Sequence, residues 1–178
     1  MTQFLSLLCF LLLPEFALRQ AIELSNEPGT SVSINREKGG NASPGKPYLI
    51  KEEADLPAVS VVPQDMGRVL MNLFANAFHA VQERTQTDTT GTYRPTVTVT
   101  TAQVSGRLQI RVHDNGTGIS DDIRGKIFQP FFTTKPTGKG TGLGLSLSYD
   151  IVTKGHGGTL TVHSEPGTFT EFTVEFPA

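Results

Sequence analysis

Residues 127–146 read IFQPFFTTKPTGKGTGLGLS: an apolar aromatic run, then glycine at every second place from Gly138 to Gly144, then an apolar helix start. Between Asp122 and Asp150 stand Arg124, Lys126, Lys135 and Lys139, and no acid. Glycines ahead of a helix let backbone N–H groups approach an anion closely, and the helix N-terminus adds partial positive charge. The stretch therefore reads as a phosphate site opening a helix over 142–154. The alternative, a flexible surface loop, leaves the apolar helix start beside the glycines unexplained. Two familiar phosphate loops fail on spacing. In G-x-G-x-x-G the third glycine place is Leu143, Leu145 or Leu147 for the three possible pairs. A P-loop needs Ser or Thr after Gly-Lys, and Gly140 stands there.

Immediately upstream, residues 113–119 read HDNGTGI. Asp114 ends a strand pattern, and Gly116 and Gly118 permit close backbone approach beyond it. Asp-Asn-Gly by itself is an ordinary turn signal. A carboxylate at such a strand end can also accept hydrogen bonds from an exocyclic amine such as that of adenine. Further upstream, Arg68, Asn72, Asn76, His79 and Glu83 recur at intervals of four, four, three and four, which places them on one side of a helix. Val69, Leu70, Leu73, Ala77, Ala80 and Val81 take the other side. Such a row is commonly a solvated polar face. Asn is nevertheless a poor residue for a helix interior, and carboxamide oxygens suit a hard cation such as Mg²⁺, which keeps few protein ligands.

The other elements follow from period and turn residues. Residues 58–62 form a β-branched strand candidate, and Asp65 is a plausible cap for the helix that follows. Residues 96–102 and 107–113 alternate as paired strands around Val104-Ser105-Gly106. Residues 120–127 suggest a short helix behind Ser120, and 159–163 and 168–176 suggest two closing strands around Pro166-Gly167. No internal repeat is present. The pattern is an α/β layer with mostly antiparallel strand pairs rather than a strict βαβ alternation.

The 178 residues suit one domain with a tail. A net charge of -2 argues against a nucleic-acid coat or a polybasic membrane binder. Cys9 is the single cysteine, which excludes a disulfide framework and a cysteine-rich zinc site. With no Trp and 11 Phe, Phe supplies most of the aromatic core. Residues 4–13, FLSLLCFLLL, are too short to span a membrane, which takes about 20 residues. They also lack the basic flank of a signal peptide, because Arg19 is the first cation. A buried amphiphilic helix or the remnant of a longer segment is expected, with export the lesser reading. Residues 26–47 are rich in Gly, Pro, Ser and Asn and read as a linker. The expected division is a leader and linker over 1–57 and a compact domain over 58–178.

Taken in order, MNLFANAFHAV (71–81), HDNGTGI (113–119), IFQPFFTTK (127–135) and GKGTGLGLS (138–146) resemble the N, G1, F and G2 boxes of the sensor histidine kinase ATP-binding catalytic domain. That domain belongs to a superfamily shared with gyrase, the heat-shock chaperone ATPase and the mismatch-repair ATPases. Each box is weak alone, and the four in this order are specific. The resemblance implies a Bergerat-type two-layer α/β sandwich, a mixed and mostly antiparallel sheet covered on one face by helices, which binds ATP and Mg²⁺. It implies that Asn76 ligates Mg²⁺, that Asn72 supports the ion or its waters, and that Lys135 and His79 lie near the phosphates. Asn72, Asn76 and Lys135 are then the catalytic group. Asp114 would accept the adenine amine, with Gly116 and Gly118 lining the base pocket, and Gly140, Gly142 and Gly144 would hinge a lid. Ile119, Phe128, Thr133, Thr134, Gly138, Lys139, Thr141, Leu143 and Leu145 complete the implied nucleotide contacts.

The same resemblance implies a phosphoacceptor histidine on a helical hairpin, a response regulator downstream, and a cytoplasmic domain that a membrane-bound sensor could carry. No histidine here stands in the family's H-[DE]-x-x-x-P setting, and residues 1–57 contain none. The chain therefore reads as a fragment of a larger kinase or a shortened relative with an unrelated leader, with any membrane link through the N-terminal segment. The competing readings are a serine kinase of the anti-sigma-factor type or an ATPase relative, and a nucleotide-binding regulatory module without catalysis. The first generally has a carboxylate one turn before the metal Asn. Asn72 stands there, an amide that takes no proton near neutral pH, and Glu83 lies about two turns past Asn76.

Overall fold

A computed structural model describes residues 33–34, 48–52, 60–135 and 140–177. The elements in chain order are β1 (Ser33–Ile34), β2 (Tyr48–Glu52), α1 (Pro63–Thr87), β3 (Thr96–Val104), β4 (Arg107–Asp114), α2 (Asp121–Arg124), α3 (Gly144–Asp150), β5 (Thr159–Glu165) and β6 (Phe169–Pro177). They form one sheet in the order β1-β2-β3-β4-β6-β5. The first three strands run parallel and the pairs from β3 to β5 are antiparallel, so the sheet is mixed and mostly antiparallel as the resemblance implied. Because β1 and β2 belong to this sheet, its edge lies upstream of position 58. The strand expected over 58–62 is not found at Ser60–Val62, which are irregular, and positions 58–59 lie outside the described residues. The expected readings of residues 4–13 also lie outside the described residues, as does nearly all of the 26–47 linker.

Helix α1 begins earlier than Asp65. Val62 is the N-cap, Pro63 opens the helix, and Asp65 is the acid of the first turn. Proline is suited to that place because its missing N–H would have had no partner there, and an acid in the first turn meets the positive end of the helix dipole. Met66, Val69, Leu70, Leu73, Phe74, Ala77 and Val81 are buried against the sheet. Ala80 is only half-buried and turns toward the cleft described below. The strands supply the matching layer at every second residue: Val97 and Val99, Leu108, Ile110 and Val112, and Phe172, Val174 and Phe176. Helices thus cover one face of the sheet.

Turn chemistry sets the remaining boundaries. Ser105 and Gly106 have φ of 51° and 74°, the two left-handed residues of a type I′ hairpin turn. Helix α2 is shorter than the expected 120–127 and stops at Gly125. Helix α3 starts at Gly144 rather than Gly142 and widens into a π-helical turn over Ile151–Gly155. There His156 Nδ1 lies 2.9 Å from the Ile151 carbonyl oxygen, a side chain inserted at the end of the helical ladder.

That histidine also joins the two helices. Its Nε2 accepts the Val62 N–H at 3.1 Å, at the start of α1, and its ring meets Phe176 edge-on at 6.1 Å. The two bonds assign the neutral tautomer with the proton on Nδ1. Replacing His156 by Leu leaves the Val62 N–H and the Ile151 carbonyl without this partner. The expected loss is about 1–3 kcal/mol in denaturant unfolding.

Candidate functional site

A cleft of about 510 Å³ opens between α1 and the loops that follow β4 and precede α3. One wall is the polar stripe of α1: Asn72, Asn76, His79 and Glu83 face it, joined by Ala75 and Ala80. Arg68, at the head of the stripe, is exposed and lies outside the cleft. The opposite wall holds Ile119, Ile123, Ile127 and Phe132, and the floor holds Asp114, Thr170 and Phe172.

Asp114 ends β4 and is 2% exposed. One carboxylate oxygen accepts the Gly116 N–H at 2.9 Å, and the backbone of its register partner Thr170 donates as well. Burial pushes its pKa up to about 7, and these two backbone bonds oppose the rise. The loop beyond is stitched to the β5–β6 turn. Gly167 N–H donates to the Thr117 carbonyl at 2.7 Å, and Ile119 N–H donates to Ser164 Oγ at 2.8 Å. Gly118, at φ +67°, packs against the Glu165 and Pro166 backbone so closely that no side chain fits.

At the other end of the cleft, Lys135 Nζ donates to Asn76 Oδ1 at 3.3 Å. Burial lowers the Lys135 pKa, and the Glu83 charge works against that. Thr133 Oγ1 accepts the Lys135 N–H at 3.1 Å, and a side chain at Gly140 would collide with that same oxygen. Gly142, at φ +67°, lies directly on the backbone of Phe131, which is itself left-handed at φ +65°. Asn72 also reaches α3. Its Nδ2 donates to the Gly144 carbonyl at 3.1 Å and to Ser148 Oγ at 3.0 Å, which fastens α3 to α1.

The cleft gathers Asn72, Asn76, His79, Asp114, Gly118, Ile119, Thr133, Thr134, Lys135, Gly140, Thr141, Gly142, Gly144 and Leu145 from the sequence reading. Three other residues of that reading do not line it. Gly116 packs behind it on the backbone of Ala80. Phe128 turns into the core, 5.2 Å from the Tyr149 ring and 6.5 Å from that of Phe172. Leu143 points outward. Gly138 and Lys139 lie outside the described residues. The sequence reading missed Thr117, Ile123, Ile127, Phe132, Thr170 and Phe172 among the lining residues. For Thr170 and Phe172 the signal was the register of β6 against β4, which pairs them with Asp114 and Val112.

Among the described residues there is no group of three or more His, Cys, Asp or Glu that could hold a metal ion. The Asn76 oxygen nevertheless fits a hard cation: it already faces the cationic Lys135 ammonium. Among the described residues no helix is long and apolar enough to cross a membrane.

A buried acceptor at one end, apolar walls, and glycines with a lysine at the other end form a cleft suited to an adenine nucleotide. The family model for the histidine kinase-, DNA gyrase B- and HSP90-like ATPases matches residues 61–178. The chain belongs to this family. Its relatives within the family include the sensor histidine kinase ZraS of Escherichia coli K12, 36% identical over 122 residues, which covers 68% of this chain and 23% of ZraS. The histidine kinase/phosphatase NtrB of Rhizobium meliloti is 36% identical over 132 residues, covering 71% of this chain and 34% of NtrB. The chain therefore spans a quarter to a third of the length of these two family members. The nucleotide-free catalytic domain of the histidine kinase ThkA shares the family fold, with a TM-score of 0.60 at 23% identity over 95% of this chain and 88% of that one. Full-length ShkA in complex with AMPPNP gives 0.62 at 26% identity, over 92% of this chain and 29% of ShkA. Membership of an ATPase family makes this an ATP-binding domain.

The raised Asp114 pKa has a direct consequence for stability. The unfolded carboxyl loses its proton near pH 4 and the folded one near 7, so between these values the folded state holds the extra proton and stability falls as pH rises. The penalty is complete above pH 7, where it amounts to roughly a few kcal/mol. Asp114→Asn should therefore raise the melting temperature of the nucleotide-free chain at pH 8, with an advantage that shrinks toward pH 4. An advantage that does not change with pH would contradict the buried-carboxylate account.

Proposed function

We propose that residues 58–178 form the catalytic domain of a two-component protein-histidine kinase, which binds Mg·ATP and delivers the γ-phosphoryl group to a histidine on a helical hairpin. The reading rests on one observation above all: a buried carboxyl and the Asn76–Lys135 pair line one and the same cleft. The relatives are sensor histidine kinases, which supports the same reading.

Asp114, as carboxylate, accepts the exocyclic amine of adenine, and the Ile119 and Ile127 side of the cleft shields the base from water. Asn76 would hold Mg²⁺ through its amide oxygen, and the ion would supply charge neutralisation for the phosphates. Lys135 leaves Asn76 for the phosphates, with His79, Thr133, Thr134, Gly140 and Thr141 around them. Asn72 acts through α3, holding the glycine segment at Gly144 in place rather than meeting the ion. Its commitment also argues against hydrolysis, because a neutral amide engaged as a donor cannot serve as general base. In the transfer, a histidine imidazole nitrogen forms the new P–N bond as the P–O bond to ADP breaks and the imidazole N–H proton is lost.

Phe131 is 75% exposed, and Leu143 and Leu147 are exposed one helical turn apart. Gly142, the neighbour of Leu143, rests on the Phe131 backbone and itself lines the cleft, so these exposed apolar residues flank lining residues in the chain. Such an apolar surface suits contact with the hairpin. A response regulator downstream and a cytoplasmic location complete the proposal.

The metal assignment is checked by calorimetry. Asn76→Ala should weaken triphosphate binding strongly in Mg²⁺ and little in EDTA, and equal losses would assign Asn76 to packing instead. The activity is checked with labelled ATP, Mg²⁺ and the isolated hairpin of a related sensor kinase. Acid-labile label should appear on the hairpin. Release of free phosphate with no label would favour an ATPase, and nucleotide binding with neither outcome would favour a regulatory module.

A further inference from the structure

Arg84 stands in the last turn of α1 and reaches across to the loop behind Asp114. Its Nη1 lies 2.8 Å from the Asn115 carbonyl oxygen, 3.0 Å from that of Thr168 and 3.3 Å from that of Gly116. The guanidinium carbon sits 4.7 Å over the centre of the Tyr93 ring. Below it, the Tyr93 hydroxyl is 2.9 Å from the same Asn115 carbonyl oxygen and 3.0 Å from Asn115 Oδ1. The Asn115 side chain is held further by the Thr96 N–H and the Arg94 carbonyl, each at 2.8 Å. Ala80, one turn before Arg84, rests on Gly116. Neither Arg84 nor Tyr93 lines the cleft.

We infer that Arg84, with Tyr93 beneath it, is a positioning residue for base recognition, which sets the preference for adenine over guanine by fixing the loop that aims the Asp114 carboxyl. The inference rests on Asp114 being the adenine acceptor. The Gly116 N–H is, with that of Thr170, one of the two backbone donors among the described residues that favour the charged form of Asp114 over the neutral one. A loop free to shift would lose that bond. The carboxyl could then turn and keep its proton, and a neutral carboxyl can donate to the ring oxygen that guanine carries where adenine has its amine. A guanidinium suits this clamp because it presents several donors in a rigid plane and stacks flat on an aromatic ring, and an ammonium does neither. Burial holds the Tyr93 hydroxyl up to about 12, so it remains a donor across the working pH range.

The test measures Kd for Mg·ATP and Mg·GTP by calorimetry, together with the nucleotide-free melting temperature, in the parent chain, Arg84→Met, Arg84→Lys and Tyr93→Phe. Arg84→Met keeps an apolar stem over Tyr93 and removes every donor. It should weaken ATP binding by about tenfold or more, as expected for loss of charged hydrogen bonds, with little change for GTP. The ATP:GTP preference then narrows by the same factor. Arg84→Lys should recover only part of it, and Tyr93→Phe should narrow it to a smaller degree. A lowered melting temperature with the parental ATP:GTP ratio would show a purely structural role and overturn the inference. If Arg84→Met does not fold, Tyr93→Phe decides, and an unchanged ratio there overturns it equally. A parent chain with equal affinity for the two nucleotides would overturn the adenine reading of Asp114 itself, and the clamp with it.

Discussion

The burial of one face of α1 against the sheet is the constraint from which the rest of the molecule follows. Met66, Val69, Leu70, Leu73, Phe74 and Val81 each gain roughly 1.5–3 kcal/mol by leaving water. Asn72 and Asn76 each cost the helix only about 0.7 kcal/mol relative to Ala. The apolar face therefore decides how the helix is rotated, and the amides go where the 3.6-residue period sends them. That place is the wall of a cleft whose floor is the end of the same sheet. Core and site are two sides of one helix, so the site's geometry inherits the rigidity of the core.

Asp114 shows what such a cleft demands in return. A carboxyl almost fully removed from water, with two backbone donors and, among the described residues, no cation on it, is held in a state the unfolded chain would not choose. Its burial suits the acceptor role proposed for it. The opposite end of the cleft follows the same logic with the sign reversed. Lys135 is half-buried and leans on an amide oxygen, a weaker partner than the phosphates proposed for it.

The two ends are held in register by contacts that join distant parts of the chain. Asn72 binds Gly144 and Ser148, Arg84 and Asn115 secure the loop behind Asp114, and His156 ties the start of α1 to the turn after α3. Each is a side chain bonded mostly to backbone, which fixes where a loop sits without dictating the loop's own sequence. Gly118 and Gly142 complete the arrangement by letting two backbones touch. The left-handed Phe131 is the cost of that contact on the non-glycine side, a conformation uncommon for a bulky residue.

Whatever depends on short-range period and turn chemistry was legible in the amino-acid order alone. The two faces of α1 followed from intervals of three and four, the β3–β4 hairpin from alternation around Ser105-Gly106, and the placing of Asp114 from a strand pattern that runs into glycines. The resemblance of four boxes in order added the sandwich and most of the cleft. The tertiary structure alone decided where individual side chains went once several places were open to them. Phe128 and Phe132 share an aromatic run and both pack against the core, yet only Phe132 lines the cleft, while Phe128 meets the rings of Tyr149 and Phe172. Asn72 and Asn76 are identical in type and on one helix face, yet Gly144 claimed the first and Lys135 the second. The strand expected over 58–62 was absent from Ser60–Val62, whose backbone leads instead into the N-cap of α1 and meets His156 from the far end of the domain. Local period sets the direction in which a side chain leaves the backbone. Its partner is chosen by chain segments tens of residues away, and only folding brings those into reach.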